Sequence, residues 1–194
     1  MSSLFLFGAG ASYGSGPCSP AHPPLGNALF DELRKAGGVA ARVSEDLAEL
    51  FRRDFEAGMD RFWTDHNTWT SELLRDMARY FAAFEPGAGN LYTALVAALG
   101  GTRKKAVFAT TNYDLLIEHA IVQSGLLISY SGLPAAPQNI PVLKIHGSCH
   151  FLPDLGNSNI RGIGFDLSQS DGGTVLNAPI RVAQSTREIL DFCS

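Results

Sequence analysis

The sequence predicts an α/β fold built on a doubly wound parallel sheet. Residues 3–7, SLFLF, form a continuous apolar run that is typical of a buried central strand, and the glycine-rich GAGASYGSG follows at once. Strand and helix patterns then alternate between residues 106 and 145, as they do in βαβ units. Between these parts lie about sixty residues with helical patterns, far more than a crossover connection requires. We therefore expect a Rossmann-like sheet with a helical lobe inserted at about residues 27–100.

The helices of this lobe are predicted from their apolar faces and from the residues that would begin them. Asn27, Ser44 and Asn90 are each placed to cap a helix, because short polar side chains accept hydrogen bonds from first-turn amides. The helix that Ser44 would begin carries apolar residues as far as Phe55. A further helix is expected to begin near Trp69.

The rest of the chain predicts loops, strands and two more helices. Residues 17–26 are too rich in proline for a helix or an inner strand. Residues 152–173 are interpreted mainly as loop. Strands are expected at residues 106–110, 126–130, 140–145 and 178–183, and helices at residues 114–124 and from about residue 185 onward.

Length and charge limit the classes of protein that the chain can represent. At 194 residues it can form one core, or one core with a smaller lobe, so we expect a single domain. Its hydrophobic and charged fractions, 45% and 18%, are those of an ordered globular protein. The net charge of −4 gives no field that would collect nucleic acid, and the basic cluster at residues 103–105 is interpreted as a solvated loop. We therefore expect no direct binding to nucleic acid.

The cysteines and the apolar runs favour a reducing, aqueous compartment. Cys18, Cys149 and Cys193 include no C-x-x-C pair, so neither a disulfide framework nor a four-thiolate zinc site is expected. The apolar run at residues 4–7 lacks the positive leader of a secretion signal. No stretch approaches the roughly 20 apolar residues that span a bilayer. The expectation is a cytoplasmic protein without a metal or a membrane partner.

Polar clusters follow three of the predicted strands: GAGAS at residues 8–12, TTNYD at 110–114 and HGS at 146–148. Because the carboxyl ends of parallel strands share one edge of a sheet, these clusters are expected to converge on one cleft. The glycines would let backbone amides at the beginning of a helix approach a pyrophosphate. Taken alone they could equally form a tight turn, since Tyr13 stands where the motif G-x-G-x-x-G has its third glycine.

Each polar side chain of the clusters also has a purely structural interpretation. Asn112 and Asp114 could be helix N-caps that satisfy first-turn amides. His146 could donate a structural hydrogen bond, although an imidazole beside a reacting hydroxyl is suited to proton transfer. Cys149 is interpreted as a small buried residue, because no cationic group beside it in sequence would activate its thiolate. The histidines interpreted as surface or core residues are His22, His66, His119 and His150.

Taken together, GAGASYGSG, TTNYD and KIHGS resemble the motifs of the sirtuin fold, both in wording and in order. The NYD wording, the missing zinc cysteines and the large helical insert are most similar to the bacterial sirtuin-like NADases of antiphage defence systems. The motifs that carry this resemblance are spread over residues 1–150. The resemblance implies that the chain takes NAD as its substrate and uses no metal.

The resemblance also implies a role for each motif residue. Asn112 would hold the nicotinamide ribose or the attacking water, and His146 would act through the ribose hydroxyls, which makes these two residues catalytic. Asp114 would help to place the carboxamide. Oriented dipoles and a base suffice for this chemistry, because cleavage of the bond between ribose and nicotinamide generates an oxocarbenium-like sugar. The other implied binding residues are Gly8, Ala9, Gly10 and Ser12 at the phosphates, and Thr111, Gly147 and Ser148.

The implied function is hydrolysis of NAD to nicotinamide and ADP-ribose, in antiphage defence by NAD depletion. Two alternatives stay open: a module that binds or senses NAD or ADP-ribose without turnover, and an enzyme that transfers ADP-ribosyl or acyl groups. Peptide deacylation is disfavoured, because Pro17-Cys18-Ser19 stands where deacylating sirtuins carry G-I-P-x-F-R. Because an enzyme that destroys NAD would harm its own cell, we expect control through a homo-oligomer or a partner defence protein. Because the family adds further strands, the chain could be a fragment of a longer one.

Overall fold

A computed structural model describes residues 2–100, 105–130, 139–154 and 179–193 of the chain. These residues divide into two compact units. The first unit comprises Met1–Gly26 and Ala78–Cys149, and the second comprises Asn27–Met77 and His150–Ser194. The clusters GAGAS, TTNYD and HGS all belong to the first unit. Residues 103–104 and 155–173, which the sequence predicts to be loops, lie outside the described residues.

The secondary structure follows the predicted alternation, with short elements added. The strands are β1 (Ser2–Phe7), β2 (Cys18–Ser19), β3 (Glu85–Pro86), β4 (Lys105–Thr110), β5 (Leu127–Ser129), β6 (Asn139–Lys144), β7 (Phe151–Pro153) and β8 (Ile180–Val182). The α-helices are α1 (Ala9–Tyr13), α2 (Gly26–Ala36), α3 (Glu45–Arg53), α4 (Phe55–Asp65), α5 (Thr70–Ala82), α6 (Leu91–Gly100), α7 (Leu116–Gln123) and α8 (Thr186–Cys193). No helix in the described parts of the chain is long and apolar enough to cross a membrane.

The first unit is built on a parallel sheet of four strands in the order β1-β4-β6-β5, which confirms the predicted α/β, Rossmann-like class. Its packed face carries aromatic side chains from neighbouring strands. The rings of Phe5 and Phe7 lie 5.6 and 5.8 Å from that of Phe108, and Tyr92 of α6 packs edge-on against Phe7 at 5.2 Å. Such large rings dominate the energetics of a small core.

The expectation of a buried central strand at residues 3–7 is wrong in one respect. Among the described residues β1 pairs only with β4, so it lies at the edge of the sheet. Successive side chains of a strand point to opposite faces, and those of Leu4 and Leu6 are 66% and 67% exposed. The phenylalanines of the apolar run are therefore half-buried, and its leucines are accessible.

The parallel strands bring the polar clusters to one edge of the sheet. The glycine-rich turn follows β1, residues 111–115 connect β4 to α7, and the HGS turn follows β6. Because β1, β4 and β6 are parallel neighbours, all three carboxyl ends point the same way. Outside this sheet, β2 and β3 form a separate antiparallel ladder that the sequence did not predict.

The second unit has its own aromatic core. Phe30 of α2 and Phe51 of α3 are fully buried and stack face to face, with ring centroids 3.8 Å apart. Gly58 of α4 lies against the ring of Phe51, and a Cβ added at Gly58 would come within 2.5 Å of that ring. A larger residue at this position would force the ring or the helix to move. Strands β7 and β8 pair in an antiparallel ladder.

The predicted helix boundaries are met in part. Asn90 begins α6 as expected, since its Oδ1 accepts a hydrogen bond from the Tyr92 amide at 2.9 Å. Ser44 occupies the N-cap of α3 but makes no side-chain cap bond. The prediction for Asn27 is wrong, because α2 already begins at Gly26.

The helix predicted to continue to Phe55 ends earlier than expected. Helix α3 ends at Arg53, and Asp54 begins α4 by accepting a hydrogen bond from the Ala57 amide at 3.0 Å. The helical periodicity runs through this break. The cap provided by Asp54 decides where one helix stops and the next begins.

Candidate functional site

The side chain of Asn112 joins the NYD segment to the glycine-rich turn. Its Nδ2 donates to the carbonyl of Gly8 at 3.0 Å and to Oγ of Ser12 at 2.8 Å. The Asn112 amide nitrogen in turn donates to Oγ1 of Thr110 at 3.0 Å. Asn112 is only 8% exposed. These contacts confirm that the GAGAS and TTNYD clusters converge.

The contact with Gly8 also fixes which way the Asn112 amide faces. A backbone carbonyl can only accept a hydrogen bond, so the amide nitrogen and not the oxygen must face Gly8. No described residue donates to Asn112 Oδ1. The arrangement therefore leaves an oriented acceptor at the edge of the sheet.

Tyr92 extends this network into the core. Its hydroxyl lies 3.2 Å from Oγ of Ser12, which itself accepts from Asn112. Burial raises the pKa of Tyr92 well above its usual range, so the phenol stays neutral and remains able to donate. The two hydroxyls and the amide form a connected chain from α6 through α1 to the NYD segment.

The glycine-rich turn is less strained than the sequence suggests. Gly8 is the N-cap of α1 in an extended conformation, and neither Gly8 nor Gly10 has a positive φ. A Cβ added at Gly10 would meet no atom within 4 Å. The protein itself therefore does not require glycine at position 10, and the open space beside the backbone is available to a ligand.

Backbone contacts hold the NYD segment against the turn that follows β6. The carbonyl of Tyr113 accepts hydrogen bonds from the amide of Cys149 at 3.1 Å and from Oγ of Ser148 at 3.4 Å. The amide of Ile145 donates to the carbonyl of Thr110 at 2.9 Å. The HGS cluster therefore lies beside TTNYD, as predicted from the parallel strands.

Asp114 satisfies an amide of the first turn of α7, although the N-cap of that helix is Leu115 and not Asp114. Its Oδ1 accepts a hydrogen bond from the amide of Leu116 at 3.1 Å, in the first turn of α7. The residue is 4% exposed. A contact between Asp114 and a carboxamide of the ligand stays a prediction.

His146 lies in the turn after β6 and is exposed. The following residue, Gly147, has a φ of +89°, a conformation that favours glycine and that sets the direction of the turn. Its catalytic role stays a prediction. Cys149, by contrast, is buried, and burial raises the pKa of its thiol far above the usual range, in agreement with its interpretation as an inert core residue.

Sequence reasoning missed a buried ion pair directly behind the site. Nζ of Lys144 lies 3.0 Å from Oε1 of Glu118 and donates to the carbonyl of Asp114 at 2.6 Å. The side chains of Lys144 and Glu118 are 0% and 6% exposed. Burial raises the pKa of Glu118, and the nearby ammonium only partly opposes this.

The sequence does contain a signal for this pair. Glu118 interrupts the apolar run LLIEHAIV, and Lys144 interrupts the apolar strand IPVLKI. A single charge inside each of two apolar elements indicates either a solvent-facing position or a buried partner. Only the packing of α7 against β6 decides between these two interpretations.

Among the described residues there is no group of three or more His, Cys, Asp or Glu side chains placed to hold a metal ion. The polar groups that the described site contains include the amide of Asn112, the hydroxyls of Ser12 and Tyr92, and the imidazole of His146.

A comparison with protein families agrees with this geometry. The fold and the site are those of a Rossmann-like domain with polar clusters at the carboxyl ends of its strands. The family model that describes the SIR2-like domain matches residues 106–160, a segment that runs from β4 past the HGS turn and includes NYD. The chain is thus similar to sirtuin-like domains, and this similarity indicates NAD-related activity in general. No curated protein matches the sequence.

Proposed function

We propose that the chain is an NAD glycohydrolase, which cleaves the bond between ribose and nicotinamide to release nicotinamide and ADP-ribose. The observation that carries this proposal is the fixed orientation of Asn112, whose nitrogen is held by Gly8 and Ser12. Its Oδ1 is then the atom that would accept a hydrogen bond from the attacking water or from a ribose hydroxyl. The similarity of residues 106–160 to SIR2-like domains supports NAD as the ligand.

The reaction needs little covalent participation from the protein. The glycosidic bond breaks with its electron pair moving to the ring nitrogen, nicotinamide leaves as a neutral molecule, and positive charge develops on the ribose. Water then adds to the anomeric carbon and gives up a proton. An amide oxygen aimed at the water would orient it, and such preorganised dipoles are the largest catalytic contribution in many enzymes.

His146 is proposed as the group that acts on the ribose hydroxyls. It follows β6 and lies at the edge of the sheet that also carries Asn112, because Ile145 bonds to Thr110. An exposed imidazole at this edge can exchange protons with solvent after each turnover. In this proposal Gly10 lines the path of the phosphates and Asp114 helps to place the carboxamide. Ser12, which is buried against Tyr92, acts by holding Asn112.

The proposal is tested by measuring nicotinamide release from NAD by the purified chain and by an Asn112→Ala variant. Loss of one preorganised dipole should reduce turnover by about two to three orders of magnitude. The matched control is Asn67→Ala, which changes an exposed asparagine in the second unit and should leave turnover unchanged.

Mass analysis of the products separates the alternatives. NAD that binds without any release of nicotinamide would contradict hydrolysis and support a sensing module. Nicotinamide released without an equal amount of free ADP-ribose would support transfer to another acceptor.

We further propose that this activity serves antiphage defence by depleting NAD, under the control of self-association or of a partner protein. The support is the resemblance of the motifs to the sirtuin-like enzymes of such systems. The test compares NAD levels in infected cells that express the wild-type chain or its Asn112→Ala variant. Equal NAD levels in the two cultures would count against a defence role.

A further inference from the structure

Lys144 lies behind the candidate site with its charge removed from solvent. Its side chain is fully buried, although it belongs to a residue type that is almost never buried unless it is paired. The ammonium has two partners: Oε1 of Glu118 at 3.0 Å and the carbonyl oxygen of Asp114 at 2.6 Å. One group therefore connects the end of β6, the first turns of α7 and the NYD segment.

The contact with Asp114 matters because the NYD segment has no regular structure of its own. Residues 111–115 lie between β4 and α7 and belong to neither element. Within the described residues, no backbone amide donates to the Asp114 carbonyl. The Lys144 ammonium supplies that donor, and without it a buried carbonyl would have no described partner.

We propose that Lys144 is a positioning residue, whose bond to the Asp114 carbonyl holds residues 112–114 in the conformation that aims Asn112 at the ligand. The effect on turnover rests on the proposed function, whereas the effect on the NYD segment does not. The competing explanation is that Lys144 only neutralises Glu118, which would otherwise be a buried charge without a counterion.

Two variants separate these explanations. Glu118→Gln removes the carboxylate but keeps the ammonium beside Asp114. The double variant Lys144→Met with Glu118→Met removes both charges and fills the space with side chains of similar length, an exchange that proteins often tolerate. If Lys144 positions the segment, amide exchange and kcat should match wild type in the first variant and should not in the second.

The readouts are hydrogen exchange of the amides of residues 111–116, kcat for nicotinamide release, and Tm. In the double variant we expect exchange of these amides to be about tenfold faster, whereas exchange in α3 of the second unit should be unchanged. We expect kcat to fall by about ten- to a hundredfold, since a small misplacement of a catalytic group has that effect. In Glu118→Gln, exchange and kcat should stay within about twofold of wild type, whereas Tm should fall because the buried ammonium loses its counterion.

The outcomes decide the proposal whether or not the chain cleaves NAD. Wild-type exchange in the double variant would overturn it, because the NYD segment would then be held without Lys144. Faster exchange in Glu118→Gln, equal to that in the double variant, would also overturn it by assigning the effect to the charge pair. If the wild-type chain releases no nicotinamide, the proposed function fails, and the exchange data alone decide the role of Lys144. Should the double variant not fold, the result for Glu118→Gln still distinguishes the two explanations.

Discussion

Replacement of Gly10 by alanine is expected to separate the stability of the protein from its ability to bind NAD. Gly10 lies in α1 beside the Gly8 carbonyl that holds Asn112, and a Cβ at position 10 would meet no protein atom within 4 Å. The folded chain can therefore accept the methyl group without rearrangement. The same methyl group would collide with a dinucleotide whose phosphates approach the backbone at this point.

Gly10→Ala is expected to raise the stability of the protein and to lower its affinity for NAD. Alanine restricts the unfolded chain and should raise the free energy of unfolding by about 0.4–1 kcal/mol. For a chain of this size, that corresponds to a rise in Tm of no more than about 4 °C. A methyl group forced into a filled site costs about 1–3 kcal/mol, which corresponds to an NAD affinity lower by roughly 5- to 150-fold.

The assay pairs thermal unfolding without ligand with calorimetric titration of NAD. The matched control is Gly26→Ala, since a Cβ at Gly26 also meets no atom within 4 Å but lies at the beginning of α2, outside the polar clusters. The control should leave the affinity for NAD unchanged. Gly10→Ala with wild-type affinity would refute the placement of the phosphates at this turn.

Two further predictions concern Tyr92 and His119, which are buried and half-buried in the first unit. Tyr92→Phe keeps the ring against Phe7 but removes the hydroxyl that lies beside Ser12. Nicotinamide release should therefore fall by about tenfold, whereas the free energy of unfolding should fall by only about 1 kcal/mol. Unchanged release would exclude a role for this hydroxyl in holding Asn112. Burial lowers the pKa of His119 and outweighs the attraction of nearby carboxylates, so the folded state holds the neutral imidazole. The stabilising contribution of this neutral form is present above the unfolded pKa of about 6.5 and is lost as pH falls towards the folded pKa. Urea unfolding between about pH 7.5 and 5 should therefore show decreasing stability for the wild type and a flatter profile for His119→Leu; equal slopes would contradict this assignment.

Much of the fold could be predicted because helices and strands are encoded locally. The alternation of apolar patterns after residue 105 located β4, α7, β5 and β6 to within two residues at each end. The predictions were wrong where a helix boundary or the burial of a strand depended on tertiary packing. The periodicity of α3 continues past Arg53, but the cap at Asp54 begins a new helix. The apolar run of β1 was interpreted as buried on both faces, whereas its position at the sheet edge leaves Leu4 and Leu6 exposed.

The candidate site, too, could be predicted from the sequence only in part. From the sequence alone, parallel strands with polar residues at their ends were sufficient to bring GAGAS, TTNYD and HGS to one edge, because strand direction fixes where a strand ends. The contacts that give these residues their orientation were not accessible. Asn112 and Gly8 are 104 positions apart, and Ser12 and Tyr92 are 80 apart. Lys144 and Glu118, each a lone charge in an apolar element, could be placed only once α7 and β6 were known to pack together. The sequence by itself determined the strands of the parallel sheet and the side chains at their ends, since both depend on near neighbours in the chain. Only the tertiary structure decided which of those side chains meet, because a hydrogen bond or an ion pair depends on distances of a few ångströms that no local pattern specifies.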